Sequence, residues 1–200
     1  MNREEKIIEI AKRVFNERYP ASYEQICENY KKHNEQILAD FYQCVRKLIH
    51  LTQKRQTACK KGPIRYFAAA YLLSSTLTET FDFQLSLLDE QYYLDPIESC
   101  IYWHPSFLFV NLAADKEELV RVVDREMIRV HSYELDMVWR SYVCEFYYVL
   151  AGLFFAENVK SAALAGGMNE LTLTEEVQFV YGGVMDRALQ FELLKKEAGV

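Results

Sequence analysis

Residues 141–156 read SYVCEFYYVLAGLFFA, sixteen positions with a single charge and almost no polar side. A helix that is apolar all round must be covered on every side by protein or by lipid. At about 1.5 Å per residue the run reaches roughly 24 Å, short of the roughly 30 Å of a bilayer core, and Arg140, Glu145 and Glu157 lie in or beside it. The stretch therefore predicts the central helix, at about 138–159, of a water-soluble, mainly α, single-domain bundle over residues 1–200, with an N-terminal helical subregion at 1–60.

On either side of this run the pattern stays helical. Downstream, SAALAGGMNE is a flexible connection, and a Thr172 or Thr174 cap opens a last helix to about Glu197 with Val177, Val180, Val184, Ala188 and Phe191 on one face. Gly182 and Gly183 inside it would each cost roughly 1 kcal/mol relative to Ala, which suits close approach of another helix near Ala151 and Gly152. Two broadly apolar C-terminal helices predict a homodimer seam. Upstream, Asp115 and Glu118 form a capping box that opens a helix with Leu119, Val123, Met127 and Val130 buried, and the helix changes near Ser132. Arg121, Arg125 and Arg129 recur every fourth residue, either a ladder for phosphate or carboxylate groups or a salt-bridged surface beside Glu118, Asp124 and Glu126.

The first half opens with an amphipathic helix over 3–18 that Pro20 stops, and continues as one helix or two interrupted by the polar KKHNEQ at 31–36. Gly62-Pro63 then punctuates the chain before a helix IRYFAAAYLL. Phe81, Phe83, Leu85 and Leu87 alternate with Asp82, Gln84 and Ser86, which predicts a small β-hairpin at about 81–94 with QYYL returning. Asp95-Pro96-Ile97-Glu98 reads as the cap of a short helix to about Trp103. FLFVNL at 107–112 is a buried extended segment or the approach to the next helix.

Charge is segregated. The net charge is −6, yet 41–78 holds seven basic residues and no acid, so the remaining chain carries −13. Such a segment is an anion- or nucleic-acid-binding face, with Lys60 and Lys61 as candidates, or packs against acidic parts of its own or a partner molecule. Five scattered cysteines with no CxxC spacing argue for reduced thiols in a cytoplasm, and no signal region follows the N-terminus. HExxH, glycine-rich phosphate loops and GxSxG are absent, and the single pairs His131/Glu134 and Cys100/His104 make no metal site. No cofactor, metal or membrane partner is expected, and no residue stands out as catalytic. Glu145 needs a partner when buried, and with Tyr142, Tyr147, Tyr148 and Trp139 it makes a candidate ligand pocket.

IIEIAKRVF at 7–15, SYEQICENY at 22–30 and the continuation from Phe41 to Leu48 resemble the tetracycline-repressor family over about 45 residues. The resemblance implies an N-terminal helix-turn-helix, a ligand pocket among later helices and a dimer through the last two. The chain departs from that pattern at KKHNEQ, at Tyr19-Pro20 and at the 81–94 hairpin. The leading expectation is a non-enzymatic cytoplasmic protein that binds a partner or small ligand as a homodimer. A DNA-binding regulator is the alternative.

Overall fold

A long apolar segment can be covered as a helix among helices or as a strand packed on both faces of a sheet, and this chain uses both solutions. The computed structural model describes residues 2–195, and its architecture is α/β. Helix α1 (Arg3–Thr57) leads into β1 (Ile64–Tyr71), a single turn α2 (Ser75–Thr78), β2 (Phe83–Leu88) and β3 (Ser99–Trp103). Then come α3 (Leu112–Glu126), α4 (Ser132–Tyr142), a π-helical turn at Val143–Tyr147, α5 (Tyr148–Ala165), β4 (Leu173–Gly183) and β5 (Ala188–Lys195). The sheet order is β3-β2-β1-β4-β5, with the central β1 and β4 parallel and every other pair antiparallel.

The mainly α bundle expected from the sequence is thus overturned by the five-stranded sheet. Of the predicted helix IRYFAAAYLL, Ile64–Tyr71 form the central strand instead, because Phe67 and Ala69 enter the main core while Ala68 joins Leu88 and Val180 on the opposite face. Burial on both faces removes the alternation that marks a strand. The same holds for the last predicted helix: 173–183 and 188–195 pair as a hairpin, and its expected end near Glu197 lies outside the described residues. A seam between two C-terminal helices therefore does not exist. The alternation at 83–88 does make a strand, but its neighbours are β1 and β3, and Tyr92–Leu94 is a 3-10 turn rather than a returning strand. Asp95 starts no helix. Its carboxylate accepts from the amides of Ile97 and Asp89, both at 3.0 Å, and pairs with Lys61.

Helix α1 spans 55 residues as two helical runs that meet at a kink at His33, inside the polar KKHNEQ stretch; the runs follow each other with no turn between them, so the helix-turn-helix implied by the repressor resemblance is not formed. The helix also passes through Pro20, where a stop was expected. Proline lacks the N–H that the carbonyl four residues back requires, a loss of about 3 kcal/mol in a helix interior. Arg18 and Ser22, which flank Pro20, both bond to Asp115 of α3 and hold the two sides in line. The helices pack on one face of the sheet, and the central rod is α4, the π turn and α5 in sequence, beside the N-terminal half of α1. The two run parallel: Arg3 meets Glu134, Phe15 stacks on Tyr142 with ring centroids 3.9 Å apart, and Tyr19 lies against Phe146. Among the described residues no helix is long and apolar enough to cross a membrane.

Candidate functional site

A concavity of about 660 Å³ opens where α3 and α4 meet the loop before β2 and the end of β3. Leu112, Ala113, Lys116, Glu117 and Val120 recur at helical spacing and present one side of α3 to it. Phe81 and Phe109, with ring centroids 4.9 Å apart, line it from the loops, and Trp139 of α4 completes the wall. Its size falls in the range of small-molecule sites, which are mostly apolar with a few placed polar groups.

Three polar features mark this cleft. Trp139 is 2 % exposed and its indole Nε1–H has no hydrogen-bond partner, while the Lys116 ammonium stands 5.9 Å from the ring centroid. Lys116 is paired with Glu79, and Arg121 with Glu118 at 2.6 Å, so the rim cations are already neutralised. His104 Nδ1 lies 3.2 Å from Asp82 Oδ1. Glu79 and Phe81 hold left-handed φ of 57° and 49° without being glycine, a conformation that costs of order 1 kcal/mol or more and gathers at ligand sites.

Beside the cleft lies a buried polar cluster. Asp115 is fully buried and accepts from Arg18 Nε at 2.8 Å, Ser22 Oγ at 2.9 Å, Tyr142 OH at 3.0 Å and Tyr147 OH at 2.7 Å. Tyr142 and Tyr147 are five apart, a spacing that an α-helix sends to different sides. The π turn between them adds a residue to the turn and brings both phenols onto one carboxylate. Burial, then the charge of Asp115, pushes the Tyr142 phenol up; for Tyr147 burial acts first and the bond to Asp115 second. The bond to Asp115 likewise raises Arg18.

The residues singled out in the sequence do not converge. Glu145 is exposed and, among the described residues, accepts only from Ser141 Oγ at 3.3 Å. It shares with Tyr142 a groove of about 450 Å³ between α1 and α4. Trp139 belongs to the other cleft, and Tyr148 to neither: it is stacked on Tyr71 and bonded to the Leu72 carbonyl. The arginine ladder is broken because α3 ends at Glu126. Arg121 and Arg125 pair with Glu118 and Glu126, and Arg129 sits beyond the helix with φ 54°. Lys61 is no anion site either, since its ammonium is buried against Asp95 and the Ile97 carbonyl; Lys60 is exposed. His131 and Glu134 serve as the capping box of α4. Among the described residues no three His, Cys, Asp or Glu side chains gather as metal ligands.

Sequence reasoning missed Lys116, Phe81 and Phe109. Lys116 was legible in principle, since it shares one side of α3 with Leu112, Ala113 and Val120. The two phenylalanines were not, because their positions depend on left-handed loop backbone and on strand pairing remote in sequence. Compared with protein-family models, curated proteins and solved structures, the chain matches none.

Proposed function

We propose that this chain is a non-enzymatic binding protein whose ligand is a small, mostly apolar molecule with one hydrogen-bond acceptor, held in the α3–α4 cleft. The supporting observation is Trp139. A buried N–H without a partner costs about 1–3 kcal/mol, and a ligand carbonyl or ether oxygen would recover it on displacing the side chains that cover the indole edge. Phe81, Phe109 and Val120 would enclose the apolar body. The paired state of Lys116 and Arg121 favours a neutral ligand over an anion. A cytoplasmic setting and a homodimer complete the proposal; five free thiols are the support for a reducing compartment.

The test uses Trp103→Phe, which leaves Trp139 as the sole indole. Titration with naphthalene and with its methyl ketone is followed by tryptophan emission. Saturable quenching is expected for both, tighter by about fivefold or more for the ketone because of the indole bond. Ala113→Phe, which fills the exposed mouth of the cleft, should abolish both signals. Emission unmoved by either probe would remove this reading.

A further inference from the structure

We infer that the face shared by α1 and the α4–α5 rod is a two-fold interface, and that its occupant is a second copy of this chain. Every fourth residue of the rod stays in water: Tyr133, Met137, Ser141, Glu145, Val149 and Leu153. Met137 is 51 %, Val149 52 % and Leu153 58 % exposed, whereas Phe146 between them is 2 % exposed. The helix that sequence reading placed in the middle of the core thus keeps an apolar stripe uncovered, about 30 Å long at 1.5 Å per residue.

The order of side chains along that stripe specifies the partner. Read from either end it runs apolar, apolar, polar, polar, apolar, apolar. A two-fold axis across the middle of the rod sets Tyr133 against Leu153 of the partner subunit, Met137 against Val149 of the partner subunit, and Ser141 against Glu145 of the partner subunit. An isologous contact needs this self-complementarity. Charge agrees with it. Lys12 lies in the groove that Glu145 lines, yet neither forms an ion pair among the described residues. Because α1 runs parallel to the rod, with Arg3 at the level of Glu134 and Phe15 at that of Tyr142, Lys12 falls close to the level of Ser141. The Glu145 that arrives opposite Ser141 from the other copy therefore meets Lys12, and the contact forms twice. This inference rests on the homodimer reading and gives it residues; it is independent of what fills the α3–α4 cleft.

The full chain is examined by sedimentation velocity over a dilution series. A reversible dimer is expected. Val149→Glu with Leu153→Glu should leave a monomer with unchanged circular dichroism, because both positions are exposed. Lys12→Glu and Glu145→Lys should each weaken association about tenfold, and the double charge swap should restore it to within a few-fold. A wild-type chain that stays monomeric at about 100 μM overturns the inference, whether or not it pellets with phosphatidylglycerol vesicles. So does a dimer indifferent to the 149/153 substitutions, and a double swap as weak as its singles overturns the register. Quenching by the naphthyl ketone tests the cleft separately, so loss of either reading leaves the other standing.

Discussion

At the scale of single residues, Asp115 is where local grammar and tertiary use diverge. Followed three residues later by Glu118, it has the form of a helix cap, but α3 begins three residues earlier and the carboxylate points into the protein, to Arg18, Ser22, Tyr142 and Tyr147. Nothing in the sequence near Asp115 announces partners 93 to 97 residues before it and 27 to 32 after it. The inverse error befell Glu145, whose apolar neighbours suggested burial although its own position on the rod faces water. Asp115→Ala leaves the buried donors without an acceptor and should cost about 3–5 kcal/mol. Tyr147→Phe removes one bond to a charged group and should cost about 1.5–3 kcal/mol. Urea unfolding followed by circular dichroism measures both; a loss below about 1 kcal/mol for Asp115→Ala would mean that the donors find other partners.

Among the elements, the β4–β5 hairpin is the one whose sequence misleads most and whose glycines matter most. Gly182 was expected to admit a neighbouring helix. It admits the returning strand instead: a Cβ there would stand 2.3 Å from the Arg187 carbonyl oxygen and 2.8 Å from Ala188 Cα. Backbone cannot swing aside as a side chain does, so Gly182→Ala should destabilise by about 1–3 kcal/mol. Gly62→Ala is the control, since its nearest atoms lie at 3.9 Å, an ordinary contact. Equal midpoints for the two variants in urea would refute the close approach. The strands that were legible and those that were not differ in one respect. Phe83, Leu85 and Leu87 alternate with the polar Gln84 and Ser86, and β2 could be read from them. In β1 and β4 the second face is packed as well, by Ala68 and Val180, which breaks the alternation and lets the apolar positions fit a helix equally. Helix α4 was legible at its start, where the chain changes direction before Ser132, because a single helix from 116 to 160 would be too long for a compact fold.

Over the whole molecule, charge ties the long N-terminal helix to the rest. Three ion pairs run down α1 in order: Arg3 with Glu134 of α4 at 2.6 Å, Arg13 with Glu126 of α3 at 2.6 Å, and Arg18 with Asp115 of α3 at 2.8 Å. The basic segment noticed in the sequence is likewise partly spent within the fold: Lys61 pairs with Asp95 and Arg65 with Glu90, while Arg55 donates to the main-chain carbonyl of Glu98 and to Ser99 Oγ. Composition showed the segregation, but which acids would meet it depended on the sheet. These pairs give the fold an acid limit. The bond from Arg3 holds Glu134 down to about 2, and the bond from Arg13 holds Glu126 below its ordinary 4.5. A carboxyl whose folded value is depressed stabilises fully above its unfolded value, and the contribution disappears as pH falls through the folded one. Both arginines stay charged throughout. Thermal midpoints should therefore hold level down to about pH 5 and fall between roughly 4.5 and 2. The Arg3→Gln, Arg13→Gln double variant should start lower at neutral pH and fall less steeply over that interval, converging on the wild type at the acid end. Added salt should shrink the difference between the two proteins, since both pairs stand near the surface. Two parallel melting-point curves over that interval would show that α1 is held by its apolar face alone.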